Sequence, residues 1–238
     1  MPSGNVSQTN ESGQGGLNGR RMLLEEAILC RHSTRQFLPK SVPDEVLNTA
    51  LKLAAQAPSN SNTQAWRLYV VTGPALHRLK NALVAAASSD AVPKIPPLPN
   101  EFQQWRSEVG NAVYGIGLGI PREDTVARRQ AVMKNFEFFG APVGIIVCMS
   151  KKLPGSAAMS VGMHLQTLLL ALTEQGVATC AQVSIAGYGD IVRAEVGVRD
   201  DLDILCGVSV GYEDVEASVN KIRIGRMKVE ETTVFVRS

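Results

Sequence analysis

Cysteine is scarce in this 238-residue chain, and no two of its four cysteines form a CxxC pair. Cys30, Cys148, Cys180 and Cys206 stand far apart among small or apolar neighbours. That spacing argues against a zinc or disulfide framework and predicts reduced, mostly buried thiols. His32, His77 and His164 are the three histidines, and they lack metal-ligand spacing, so no metal is expected. No run approaches the roughly 18 apolar residues of a membrane span. With a net charge of +2 and no long Lys/Arg block, nothing predicts a nucleic-acid face. GxSxG and P-loop motifs are missing, and YGIGLG at 114–119 neither reads GxGxxG nor follows a convincing strand. The carboxylates are scattered, with no pair suited to acid–base work. These absences predict a soluble cytoplasmic protein without nucleic-acid or membrane partners.

What is present fits an ordinary globular chain, 45% hydrophobic and 19% charged. Residues 1–19, rich in Ser, Gly, Asn and Gln, read as a disordered tail, and 20–238 as a single α+β domain. Apolar spacing predicts helices over 20–31 and, after the Ser-Val-Pro-Asp-Glu start signal at 41–45, over the residues before Pro58. A β-rich run at 68–72 leads through Gly73-Pro74 into another helix ending near residue 87. Four prolines in VPKIPPLP forbid regular helix over 92–99, and the mixed segment to 130 reads as an insertion or lid. VGIIVCM at 143–149 and DILCGVSVG at 203–211 are buried strands. The stretch from Ser156 to about Gly176 is apolar nearly all round in its first turns and predicts a helix buried on most sides.

Three segments carry the chemistry. In RHSTRQF, Arg31, Ser33 and Arg35 alternate, so an extended backbone projects all three to one side. Two guanidinium forks and a hydroxyl there suit a phosphate, although a solvated basic turn after a helix has the same composition. APSNSNTQAW, from Ala57, sets more hydrogen-bonding groups against a strand than a turn requires, as a ligand-holding loop would. NKIRIGRMK gathers Lys221, Arg223, Arg226 and Lys228, which could share that phosphate if the chain folds back. A phosphate site and a polar loop without a nucleophile or base fit an enzyme whose chemistry belongs to a bound cofactor.

RHSTRQF, APSNSNTQAW, NFEFFGAPVGIIV at 135–147 and NKIRIGR, in that order, resemble the FMN-dependent nitroreductase family over about 20–236. The resemblance implies a central, mostly antiparallel sheet flanked by helices in an intertwined homodimer. It implies FMN at the interface, NADH or NADPH as donor, a nitroaromatic or quinone acceptor, and a ping-pong cycle with no catalytic side chain. Arg31, His32, Ser33 and Arg35 match the segment holding the FMN phosphate and ribityl chain, and Arg226 with Arg223 the C-terminal phosphate contact. Pro58, Ser59, Asn60 and Asn62 match the loop that reaches FMN from the partner subunit. Gln182, Val183 and Ser184 fall where backbone amides face the reactive flavin nitrogen. Trp105, Tyr114, Phe138 and Phe139 are candidates to cover the substrate, with core or lid packing as the alternative. Two positions depart from the family: Ala65 stands where Pro is frequent, and Val183 where some branches carry Glu. Reductive dehalogenase and flavin-cleaving relatives share these features, and a flavin-binding redox sensor is the non-enzymatic alternative.

Overall fold

The computed structural model describes residues 22–89 and 94–237; the expected N-terminal tail lies outside them. Among these residues, four strands form one antiparallel sheet in the order β1-β2-β4-β3. They are β1 (Trp66–Thr72), β2 (Val143–Ser150), β3 (Ala178–Gln182) and β4 (Leu202–Gly211). The helices that cover the sheet make the fold α+β, as expected. VGIIVCM is continuously apolar because β2 is buried on both faces. Val143, Ile145, Val147 and Met149 enter one core cluster, and Ile146 and Cys148 the other.

The first cluster packs under α2 (Asp44–Ala54) and α6 (Ala158–Glu174), and the second under α3 (Gly73–Ser88) and α7 (Gly189–Val196). By length and composition alone, the helical stretch Gly155–Glu174 could cross a membrane, contrary to the sequence expectation. Here it is a core helix, with Val161, His164, Leu168 and Leu172 at most 2% exposed. Its opposite side is more open than expected, since Met159 is 70% exposed.

The expected first helix forms over α1 (Leu24–Cys30), but it buries only Ala27 and leaves Leu24, Ile28 and Leu29 exposed. A groove of about 430 Å³ runs between it and α6, lined by Leu24, Leu53, Thr167 and Leu170. The expected lid is more regular than its composition suggested. It holds α4 (Gln103–Gly110), a π-helical continuation over Asn111–Gly117, and α5 (Thr125–Met133). Sequence periodicity did not reveal β3 or α7. At five residues, ATCAQ is too short to show a period, and small residues dilute its β-propensity.

Two glycines position the site. A Cβ on Gly207 would stand 2.7 Å from Ile185 Cγ1, and one on Gly144 would stand 2.9 Å from Leu76 and 3.0 Å from Phe138. Without them, the 3-10 turn Val183–Tyr188 and the Phe138 segment could not lie flat on the sheet.

Candidate functional site

RHSTRQF is extended, as the alternation requires. Ser33 makes a parallel bridge to Thr179 of β3, and Phe37 an antiparallel bridge to Glu213 beyond β4. Held between two pieces of sheet, the segment turns Thr34 fully inward. The Ser33 hydroxyl meets the buried Cys180 thiol, which burial pushes up against the opposing influence of Arg35, the Ser33 hydrogen bond and Arg31. Two guanidinium groups and a hydroxyl therefore converge on one edge of β3. Arg35 donates only to the Ser33 carbonyl, at 3.1 Å, and the Arg31 side chain has no partner among the described residues. His32 faces other protein groups: Nδ1 lies 2.9 Å from the Cys30 carbonyl, and Nε2 lies 2.9 Å from Glu213 Oε1. The imidazole therefore serves to fasten the segment.

Asn220 folds the C-terminal basic segment back onto this edge. Only 1% exposed, it accepts from the Arg35 amide at 2.7 Å and donates to the carbonyls of Gln36, at 2.8 Å, and Asp214, at 2.9 Å. A buried Asn that satisfies three backbone groups is a clamp. No sequence argument singled it out, because an Asn at the head of a basic tail carries no periodic signal. Arg223 follows three residues later and donates to the Asn220 carbonyl at 2.6 Å. Arg226 donates to the carbonyls of Ile224 and Gly225. Neither has a carboxylate partner among the described residues.

The polar loop is built differently. Ser61, Asn62 and Gln64 adopt φ of 50°, 55° and 46°, in the left-handed region that non-glycine residues avoid. Such strain survives only where the surroundings impose it. The Ser59 hydroxyl accepts from the Gln64 amide at 2.9 Å, and Ser160 of α6 accepts from the Asn60 amide at 3.4 Å. Behind the loop Trp66 stacks on His164 at 4.5 Å. Burial lowers that imidazole to about 4, so it stays neutral. Asn60 and Asn62 point outward, and the Asn62 carboxamide has no partner among the described residues. Pro58 is also exposed. Among the described residues no hydrogen bond or ion pair joins this loop to the Arg31–Arg35 edge.

Gln182 uses its side chain internally, donating to the Asn135 carbonyl at 2.7 Å and accepting from Ser209. This fixes the start of the Val183–Tyr188 turn, where the first backbone N–H groups of a helical turn lack partners within it. Val183 is 60% exposed, and the Ser184 hydroxyl is buried without a partner.

The substrate candidates separate. Phe138 is fully buried beneath Gly144 and packs the core, so it cannot cover a ligand. Tyr114 and Phe139 line a cavity of about 650 Å³ together with Arg35. Trp105 lies on α4, 41% exposed and outside that cavity lining.

The donor set fits a flavin mononucleotide. Four guanidinium groups without carboxylate partners suit a phosphate dianion, and the free carboxamide and orphaned hydroxyl suit polyol and ring-edge groups. Comparison with known proteins agrees. Residues 28–212 match the sequence model of the Nitroreductase family. Nitrobenzene nitroreductase of Ectopseudomonas oleovorans is 36% identical, over 90% of this chain and 96% of the relative. The nitroreductase NfnB of Mycolicibacterium smegmatis is 38% identical, over 90% and 92% respectively. The crystal structure of FMN-dependent NfnB from Mycobacterium smegmatis in complex with NADPH superposes with a TM-score of 0.84, at 38% identity, covering 90% of this chain and 97% of that one.

Proposed function

The chain belongs to the Nitroreductase family, and from that premise we propose that it is an FMN-dependent oxidoreductase that uses NAD(P)H to reduce nitroaromatic compounds. The observation carrying this reading is the set of uncompensated guanidinium groups at the edge of β3, with Ser33 among them. FMN, when bound, supplies the hydride-accepting and hydride-donating chemistry. The side chains bind and orient.

Arg31, Arg35, Arg223 and Arg226 hold the phosphate, with Asn220 fixing the two segments relative to each other. The first backbone N–H groups of the Val183–Tyr188 turn stabilise charge developing on the ring edge, and they need no particular side chain there. A single cleft then serves nicotinamide and acceptor in turn, which explains why no dinucleotide-binding motif is encoded.

The working unit of this reading is a homodimer in which the Pro58–Asn62 loop reaches the partner's cofactor. Three features support it. The loop is exposed and strained yet rigidly backed. Leu24, Leu29 and Met159 are 68–72% exposed on α1 and α6. The tail exposes Val234, Phe235 and Val236, all at least 69%. Apolar surface of this kind is typical of obligate interfaces. The free buried thiols accord with a cytoplasmic location.

Three measurements on purified yellow protein test this. Heat-released cofactor should chromatograph as FMN, and NADPH should drive turnover of nitroaromatics in a panel that also includes quinones and halogenated phenols. A flavin that NAD(P)H cannot reduce would overturn the enzymatic reading. Light scattering should give twice the 25.5 kDa chain mass, and a stable flavin-bearing monomer would overturn the shared site.

A further inference from the structure

A buried polar chain crosses the apolar layer on the side of the sheet that holds Cys180 and Ile146. In the β3–β4 register Cys180 stands opposite Ser209 and Gln182 opposite Gly207, so Ser209 and Gln182 are diagonal neighbours on one face. Ser209 is fully buried and Gln182 nearly so. The Ser209 hydroxyl donates to Gln182 Oε1, and Gln182 Nε2 donates to the Asn135 carbonyl at 2.7 Å. A carbonyl only accepts, so Asn135 fixes which way the carboxamide points, nitrogen towards Asn135 and oxygen towards Ser209.

The surroundings of this chain are apolar. Phe138 lies over Gly144, the β2 residue opposite Ser209, and Ile185 lies over Gly207, the β4 residue opposite Gln182. Two apolar side chains of the same shape would fill the space with no polar group to desolvate. Removing one partner of the existing pair leaves the other buried and unmet, whereas replacing both leaves neither. The polar pair is therefore the more exacting solution, and what it adds is direction, which apolar packing lacks.

Both ends of the chain are themselves fixed. Ser209 belongs to β4, which is paired on both sides. Asn135 follows α5 at the end of the lid, where its Nδ2 donates to the Val132 carbonyl at 2.9 Å and its carbonyl also accepts from the Phe138 amide at 3.2 Å. Phe138 and Phe139 just beyond are held at φ of 51° and 52°. Gln182 immediately precedes the Val183–Tyr188 turn, its backbone paired to Gly207 and its side chain tied at both ends. The peptide that carries the Val183 N–H therefore has little freedom to rotate. The side chains that open the turn supply no such restraint, since Val183 is exposed and the Ser184 hydroxyl has no partner among the described residues.

We propose that Gln182 and Ser209 are positioning residues for the flavin reaction: the Ser209–Gln182–Asn135 chain aims the first N–H groups of the Val183–Tyr188 turn at the ring edge and so sets how readily the bound flavin is reduced. The role at the flavin rests on the FMN reading above; the restraint on the turn rests on the buried chain alone. Both side chains are buried and engaged internally, so they act through the turn. An N–H aimed at the ring edge stabilises the negative charge gained on reduction, and that stabilisation falls as the aim is lost. Breaking the chain lowers the reduction potential, while the phosphate contacts keep the flavin bound.

The test compares Ser209→Ala with the double variant Ser209→Ala/Gln182→Leu in FMN-loaded protein, reading the midpoint potential against redox dyes alongside melting temperature. Ser209→Ala leaves Gln182 Oε1 buried and unmet, so the melting temperature should fall. Its reduction equilibrium should fall about tenfold, which is about 30 mV for a two-electron couple. The double variant removes the unmet group, and the Asn135 carbonyl keeps the Phe138 amide. It should melt closer to wild type than Ser209→Ala and yet retain the lowered potential, a split that a merely structural role would not produce. A wild-type potential in either variant overturns the proposal. If Ser209→Ala does not fold, the potential of the double variant decides alone. A protein that takes up no FMN refutes the flavin reading, and the restraint on the turn is then judged by amide hydrogen exchange on the protein as purified. Either variant should speed exchange across Val183–Tyr188 about tenfold relative to β2. Unchanged exchange there overturns the restraint as well.

Discussion

Two polar segments, 31–37 and 58–64, look alike in the sequence and are settled in opposite ways by the fold. The first is fastened on every side. Ser33 and Phe37 bridge to strands, His32 contacts Glu213, and Asn220 takes the Arg35 amide. Its guanidinium groups have no carboxylate partner among the described residues, and the buried Thr34 hydroxyl has no hydrogen-bond partner there. The second keeps its backbone in a strained left-handed course, fixed from behind by Ser160 and the Trp66–His164 stack, and presents its carboxamides to solvent. A site needs both kinds of segment. One places charge accurately because its backbone is saturated, and the other offers hydrogen bonds because its side chains are not.

Removing the clamp of the fastened segment should have the largest effect. Asn220→Ala deletes three buried hydrogen bonds and leaves their backbone partners unmet, which should cost about 3 kcal/mol of stability and release FMN. Thermal melting with a flavin-to-protein absorbance ratio checks it. A variant that melts normally and stays yellow would mean the C-terminal segment is held by other contacts.

Arg31→Ala separates charge from architecture. Its guanidinium has no intramolecular partner among the described residues, so the apoprotein should melt as wild type while FMN affinity falls by about 1.5–3 kcal/mol. Titration of apoprotein with FMN measures this. A loss of stability in place of affinity would move Arg31 from ligand binding to structure.

Acid should loosen the loop's support. The folded His164 titrates near 4 and the unfolded residue near 6.5. The unfolded chain therefore binds the extra proton first, and the stabilisation present above about pH 6.5 is lost as pH falls towards 4. By about pH 5 the loss should reach about 2 kcal/mol. His164→Phe keeps an aromatic partner for Trp66 and should flatten the acid limb of a melting-temperature profile. An unchanged acid limb would assign that sensitivity to other groups.

Asn62→Ala is the smallest and most selective change. If the loop holds a ligand, FMN affinity should drop by about 1 kcal/mol with the apoprotein melting unchanged. If the loop is only a turn, stability should fall while flavin affinity and nitroarene turnover at saturating FMN stay at wild-type values.

Sequence periodicity was enough where burial is regular. VGIIVCM and DILCGVSVG are apolar at nearly every position because β2 and β4 are central strands, and the helix of α2 shows one clear apolar stripe between its proline and its end. The alternation in RHSTRQF likewise showed which side chains share a face, since two-residue periodicity is a property of any extended chain. Short or small-residue elements were not legible in this way. ATCAQ became β3 only through pairing with β4, and GDIVRAEV became a helix by covering the sheet beside α3.

The sequence by itself determined the central strands, the long helices and the residue types of a phosphate- and flavin-binding chain, because these depend on local period and composition. Tertiary structure alone decided how those residues are used. It buried Phe138 while leaving Phe139 at a cavity wall, turned His32 towards Glu213, and made Asn220 the link between segments some 185 residues apart in the chain. It also set the Arg128 guanidinium 5.8 Å from the Tyr114 ring. Neighbours in sequence are constrained by backbone geometry, whereas the field and contacts at a side chain come from whatever the fold packs against it.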